Sequence, residues 1–493
     1  MKKLLLALGF VGCTLAVGAQ ELVSIELRGV VPSFLVNQLL GSLDLPNGNG
    51  IQYYRVLYTM PNLAGEPDTV SGLFVRPSTV LAGQSFPRLV WQHGTTQTKN
   101  DVPSNTVIDQ QAVQNGALPD ASLLFGAVGY AAVAPDFLNM GQDQEGFHPY
   151  VHAETEALAA IYMLQALESA PEYTDVVGDE LYITGYSQGG HASMALHEVI
   201  VEDFDDEFDV TAGAHLSGPY SISDVMTNDV ILKDSTFVYF GFLPYTVLSY
   251  QAVYPEIEQD LSRIFRAPYV DTIRAFRDGY ADAEVSLGDL TFGLLGIYQA
   301  VEGDQTFFPR RMLTPEFEAE LRDPNSTISR VLRDNDTYDF VNPDPTRLFY
   351  CMADDQVSFR NSIVAEDTLQ QLGATDTEAI NLVDTANHTE CIIPALLATL
   401  DFFEAVQQTL GTQGTIPGAS GWQWAIRENR LRVFANAGET YQLTAIDALG
   451  RSLASQPYVS GELVELTGGA GSWVAVQLTD SEGRREVRKL VLR

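Results

Sequence analysis

Residues 181–193, LYITGYSQGGHAS, restrict the fold more than any other stretch of this chain. Four residues of strand character, Leu181 to Thr184, run into Gly185-Tyr186-Ser187-Gln188-Gly189, and small residues and helix formers follow through Ala192, Met194 and Leu196. That order predicts a strand, a very tight turn and a helix, with Ser187 at the apex. The turn needs glycines two residues either side of the serine, because strand and helix backbones approach too closely there for a Cβ. It holds the serine strained above the sheet edge, at the end of a helix whose dipole favours a developing negative charge. G-x-S-x-G alone is a weak pattern. The strand before it, the helix after it and a position suited to a fifth strand favour a nucleophile over a plain glycine-rich turn.

The rest of the chain supplies a sheet for that turn. Residues 51–60 and 69–76 are β-rich runs joined by the turn-rich PNLAGEPD and predict an antiparallel pair. Residues 88–92 predict a short buried strand ending in His93-Gly94-Thr95-Thr96, and 121–129 a helix leading into a strand from Tyr130 to Ala134. Residues 150–169 predict a helix, Gly213 to Ser217 a further strand, and residues 22–45 carry no clear motif. From about 222 to 345 the rhythm breaks into an insertion with aromatic stretches at 235–250 and 291–298. Strands resume at Arg347 to Ala353 and Ala379 to Val383, followed by a helix from Ile393 to Leu410. Apolar strand runs alternating with helices predict an α/β fold with a mostly parallel sheet covered on both faces.

At 493 residues, two or three domains are expected, and 45% apolar with 19% charged residues can form a large core. The net charge of −36 argues against nucleic acid and against anionic membrane surfaces. It is unevenly spread: residues 421–493 carry 9 basic and 8 acidic side chains, against 19 and 56 in residues 1–420. That shift sets a boundary near 420. Residues 411–421, GTQGTIPGASG, predict a linker, and 422–493 a small β-sandwich with turns at Ala437-Gly438, Leu449-Gly450 and Gly468-Gly469. The first 19 residues predict a secretory signal: Lys2 and Lys3, an apolar core, then Val17-Gly18-Ala19. Cys13 offers a competing lipoprotein reading, against which Phe10 is a poor residue three places before it. No other stretch is long and apolar enough to span a membrane, so the chain is not expected to be an integral membrane protein.

An activated serine needs a base, a group that orients the base, and donors for the oxyanion. Of the seven histidines (His93, His148, His152, His191, His197, His215 and His388), only His388 follows both Ser187 and a plausible acid, as the order serine, acid, histidine requires. The acid candidates close the strand RLFYCMA: Asp354 is favoured as the orienter and Asp355 is the alternative. The oxyanion donors expected are the backbone N–H of Gln188 and, from the loop after residues 88–92, that of Thr95. His93 reads as structural, and His191 as packing or capping. Cys351 lies three residues before Asp354 and Cys391 three after His388, so a meeting of acid and base brings the cysteines near each other. A disulfide bracing both loops and two separate buried thiols both remain open.

Residues 50–410 resemble the α/β-hydrolase superfamily, and within it secreted bacterial lipases and esterases of the secretory lipase kind. The residues that carry this are HGTT (93–96), YAAVAPDFLNMG (130–141), HPYVHAETEA (148–157), GYSQGG (185–190), ADDQV (353–357) and NHTEC (387–391). The resemblance implies hydrolysis of carboxylic esters through Ser187, Asp354 and His388 without metal or cofactor, and a cap over the pocket at 222–345. Residues 422–493 separately resemble the C-terminal sorting domain of the type IX secretion system of Bacteroidetes, on LRVFA (431–435), IDALGRSL (446–453), GSWVAVQL (471–478) and VRKLVLR (487–493). This implies type IX machinery as a partner and export to the exterior or cell surface. The alternative for this tail is a carbohydrate-binding or stability module.

The expected activity is therefore hydrolysis of small-molecule or lipid esters, with a largely helical cap supplying an apolar pocket. The cap aromatics fit core packing equally. A serine peptidase on the same fold is the runner-up, although neither a propeller nor an acidic amine-anchoring site is visible. A catalytically inactive surface binding protein is the reading from another class, and it has no need for serine, acid and histidine in this order.

Overall fold

The computed structural model describes residues 21–81, 83–108, 119–233, 236–281, 285–303 and 306–409, and further on the strands of the C-terminal segment with residues 480 and 481. The proposed signal at 1–19 and the three expected tail turns lie outside the described residues.

Nine strands form the central sheet: β1 (Leu22–Val31), β2 (Ile51–Pro61), β3 (Pro67–Pro77), β4 (Phe86–Gln92), β5 (Ala131–Pro135), β6 (Val177–Tyr186), β7 (Val210–Leu216), β8 (Thr346–Tyr350) and β9 (Thr377–Asn381). Their order is β1-β2-β3-β5-β4-β6-β7-β8-β9. The pairs β1–β2, β2–β3 and β3–β5 are antiparallel, and the remaining five pairs are parallel. This mixed, mostly parallel sheet with helices on both faces is the α/β-hydrolase fold.

Alternation along the central strands fills two cores. Val90, Val133 and Ile183 turn to one face, against the helices Ala153–Leu167 and Gln188–Asp203. Their neighbours Leu89, Ala132 and Tyr182 turn to the other, against Ala121–Val128 and His388–Thr409. Each fully buried Val, Leu or Ile of this kind contributes about 1.5–3 kcal/mol. Strands buried on both faces read as continuous apolar runs, which is why they were legible as parallel.

Several boundaries differ from the sequence reading. Residues 22–45 form β1 and the helix Ser33–Ser42, so the serine strand is sixth in chain order, not fifth. β1 is an outer strand with most side chains exposed and two register shifts against β2, and it therefore lacks a clean alternation. The helix expected over 150–169 starts at Ala153, because Val151 stands at φ 48° and breaks it. The helix expected from Ile393 starts at His388.

The insertion is helical among its described residues. It opens with a π-helix, Ile222–Ile231, whose wide turns show in the Met226 N–H to Ser221 O bond of 3.0 Å. The helices Phe242–Val253, Ala267–Ala281, Leu287–Glu302, Pro315–Arg322 and Thr327–Arg333 follow. Phe240, Tyr245, Tyr269, Phe276, Tyr280 and Tyr298 form the core of this cap. Of the aromatics that marked the insertion in the sequence, Phe240, Tyr245, Tyr250 and Tyr298 are thus in the cap core, while Phe237 and Phe242 line the pocket.

Among its described residues the C-terminal segment contains two four-stranded antiparallel sheets, one of them ordered Ser452–Val459, Thr440–Asp447, Trp473–Thr479, Arg485–Val491. Tyr441, Leu443 and Ala445 are buried at a spacing of two. Ile416–Pro417, within the stretch expected to be a linker, pairs as a short strand with Gln423 and Trp424.

Candidate active site

The parallel strands end together, and the candidate residues follow those ends: Thr95 after β4, Ser187 after β6, Asp354 after β8, His388 after β9. Crevices at strand carboxyl ends are where such sheets place their sites.

The turn at Ser187 is as tight as its glycines require. A Cβ on Gly189 would fall on the Gln92 carbonyl oxygen, and one on Gly185 on the carbonyl oxygen of Gly189. Ser187 itself stands at φ 61°, ψ −122°, a region that costs a non-glycine residue about 1–3 kcal/mol. The surroundings impose it: Ser187 N–H donates to Leu216 O at 2.9 Å, and Ser187 O accepts from Gly190 N–H at 2.8 Å. The serine caps the helix Gln188–Asp203 without spending its hydroxyl on the cap. The loop after β4 lies against it, with the Cβ position of Gly94 3.6 Å from the Ser187 Cβ.

Asp354 and His388 meet. The His388 Nδ1 and Asp354 Oδ2 are 2.6 Å apart, with side-chain exposures of 6% and 1%. The other Asp354 oxygen accepts from the backbone N–H groups of Gln356 at 2.9 Å and Val357 at 2.8 Å, so the carboxylate is fixed before it meets the imidazole. Tyr186, next to Ser187, donates its phenol to His388 O at 2.6 Å and lies ring to ring with it at 5.0 Å, bringing the histidine beside the serine turn. Burial pushes that phenol's pKa up, keeping it a donor. Asp355 occupies a different place: it accepts from His388 N–H at 3.2 Å and from the cap residue Tyr239 at 3.1 Å. Cys351 and Cys391 are joined in a disulfide, Cα atoms 6.0 Å apart, linking the acid and histidine segments.

Gln188 and Thr95, assigned from sequence as oxyanion donors, flank the serine. The Gln188 side chain points into the core, donating to His148 Nε2 at 3.0 Å and Glu156 Oε1 at 2.8 Å. The Thr95 hydroxyl is paired with Tyr150 at 3.0 Å. His93 bonds backbone carbonyls, Gly94 O at 2.8 Å and Asp136 O at 3.3 Å. His191 lies fully buried between Glu156 and Asn335 O, at 2.8 and 2.9 Å. Burial drives the His148 pKa down to about 3, so its ring is neutral, donating from Nδ1 to Leu138 O and accepting at Nε2. Sequence reasoning did not single out Glu156 or His148. Their signal was the stretch HPYVHAETEA (148–157), quoted as a motif without a role for either side chain.

Ser187 opens on an apolar pocket shared with Tyr150 and Val151 and walled by cap side chains, among them Val230, Leu243, Val247 and Leu332. Among the described residues, no three His, Cys, Asp or Glu side chains are grouped to hold a metal ion, and no helix is long and apolar enough to cross a membrane.

No family model matches the chain, and no curated protein matches it in sequence. Solved structures do. A putative hydrolase from Legionella pneumophila aligns with a TM-score of 0.63 at 22% identity, over 79% of this chain and 98% of its own. The rice cell wall degrading esterase LipA from Xanthomonas oryzae aligns at 0.64 and 22%, over 79% and 98%. Candida antarctica lipase A aligns at 0.54 and 16%, over 79% and 82%. At these identities the likeness establishes the fold.

Proposed function

We propose that this protein is a serine hydrolase that cleaves carboxylic esters with an apolar acyl or alcohol group. The observation that carries the reading is the Asp354–His388 hydrogen bond beside a strained, uncommitted serine that faces an apolar pocket. Because Asp354 occupies Nδ1, the His388 nitrogen left for the serine is Nε2. In the first step the Ser187 oxygen bonds to the ester carbonyl carbon as its proton passes to His388 Nε2, and the Asp354 carboxylate stabilises the imidazolium. The Gln188 and Thr95 amides, at the start of a helix and in the loop beside it, receive the oxyanion. Collapse returns the proton to the leaving alcohol, and water repeats the cycle on the acyl-enzyme.

The two esterase and lipase neighbours support this class of substrate, and the aliphatic and aromatic lining of the pocket supports an apolar one. For the chain as a whole, the reading includes export directed by residues 1–19 and a type IX sorting role for 422–493. The test is hydrolysis of p-nitrophenyl esters from short to long acyl by the full chain and by Ser187→Ala. The variant is expected to fold normally and lose at least about 10³-fold in turnover. Wild-type turnover by Ser187→Ala rejects the assignment.

A further inference from the structure

The residue after the serine is held by a buried carboxylate that the reaction itself does not use. Glu156, in the first turn of the helix Ala153–Leu167, is fully buried, and among the described residues no Lys or Arg is bonded to it. Its Oε1 accepts from the Gln188 side chain at 2.8 Å and from the Val151 N–H at 3.1 Å, and its Oε2 meets His191 Nδ1 at 2.8 Å. A carboxylate so far from water is costly unless every partner is in place.

Each partner touches the site from a different side. Gln188 begins the serine helix and carries the backbone N–H assigned to the oxyanion, and its side chain is pinned at once by Glu156 and by the neutral His148. Val151 is a β-branched residue at φ 48°, a conformation such residues avoid, and it lines the same pocket as Ser187. Its N–H is held by Glu156 and its carbonyl by Tyr250, at 3.0 Å. His191 sits on the first turn of the serine helix and donates from Nε2 to the carbonyl of the cap residue Asn335. Asn335 closes the circuit by accepting at Oδ1 from the Ala153 N–H, 2.9 Å away, at the start of the helix that bears Glu156.

We propose that Glu156 is the positioning residue of the site: its carboxylate holds the oxyanion residue Gln188, the pocket wall at Val151 and, through His191, the cap as one unit around Ser187. This rests on the ester-hydrolase reading above. The role can be filled by hydrogen bonds without a charge. A carboxamide in the same place can accept from Gln188 and Val151 through its oxygen. Its nitrogen can donate to His191 Nδ1, while the imidazole keeps its proton on Nε2 for Asn335.

The experiment compares Glu156→Gln and Glu156→Leu in the full chain, reading kcat and KM on a p-nitrophenyl ester that Ser187 hydrolyses. Glu156→Gln is expected to keep kcat within about threefold, and Glu156→Leu to lose about 10²-fold in kcat with KM changed less than about threefold, the split that a misplaced oxyanion donor produces. Wild-type kcat in Glu156→Leu overturns the proposal, and so does an equal loss in both variants, which would assign the effect to charge. If Glu156→Leu does not fold, Gln188→Leu tests the same tie from its other end. It keeps the backbone N–H and is expected to lose about tenfold in kcat at unchanged KM, and wild-type kcat there is equally fatal. Absence of any Ser187-dependent turnover in the wild type rejects ester hydrolysis and this proposal together, whereas Ser187-dependent turnover indifferent to these substitutions rejects this proposal alone.

Discussion

Replacing both Cys351 and Cys391 by Ala separates stability from alignment at the acid–histidine pair. The disulfide closes a loop of 40 residues, and the chain-entropy relation for a loop of that length gives about 4 kcal/mol of stabilisation at 25 °C. Alignment is another matter. With the disulfide gone, the Asp354 carboxylate still accepts two backbone N–H groups, His388 N–H still meets Asp355, and His388 O still accepts from Tyr186. None of those bonds involves a cysteine and they survive loss of the crosslink, so kcat should fall by no more than about tenfold, roughly 1.4 kcal/mol in the barrier. The assay is urea unfolding followed by tryptophan fluorescence, paired with p-nitrophenyl ester turnover at 25 °C, for wild type and the double variant. A stability loss below about 1 kcal/mol refutes the loop-closure argument. A fall in kcat beyond about 10³-fold in a folded variant refutes the assignment of alignment to the hydrogen bonds.

Asp354→Asn should cost about 10⁴-fold in kcat, because an amide can hold the imidazole in the wrong tautomer, while Asp355→Asn should cost about tenfold at most, since its oxygen can still accept from His388 N–H. The reverse ranking by steady-state kinetics would move the acid to Asp355. Phe317 and Ile328 line both the serine pocket and a separate groove on the cap beside Glu256, Glu258 and Glu320, so they form a wall between the two. Truncating both to Ala should shift the preferred acyl chain to greater length, and an unchanged chain-length profile counts against an acyl group lying along that wall. Burial holds the pKa of His148 down at about 3 and that of His152 at about 4, against 6.5 when exposed. The unfolded chain therefore takes up these protons first as pH falls. Their contribution to stability is complete above about pH 6.5 and is lost progressively below it. Urea midpoints should drop between pH 7 and pH 5, and a midpoint that rises over that interval contradicts the neutral assignment of these rings.

What the sequence disclosed was what short stretches of chain dictate locally. The turn at Ser187 was legible because Gly185 and Gly189 answer to contacts with the Gln92 and Gly189 carbonyls, and a backbone clash leaves its mark within five residues. The central strands were legible because burial on both faces forbids polar residues. His388 was singled out by its order in the chain, and its place at the head of a helix was not foreseen, since that helix was expected only from Ile393. The strand β1 escaped because an edge strand with solvent on most of its side chains has no reason to alternate. Glu156 escaped for the opposite reason. Glutamate in a helical run reads as a solvated face, and the partners that bury it, Gln188 and His191, stand 32 and 35 residues away. The aromatics of the cap were seen, but composition does not say which side of a helix they face: Phe240, Tyr245 and Tyr298 are core, while Phe237 and Phe242 line the pocket.

One carboxylate carries a double duty. Asp355 holds the amide of His388 with one oxygen and the phenol of Tyr239 with the other, and Tyr239 belongs to the cap, where its ring stacks on Phe242 at 5.8 Å. The Tyr239 bond therefore ties the cap to the same carboxylate that accepts from the His388 backbone. One side chain is thus shared between the cap that walls the pocket and the segment that carries His388.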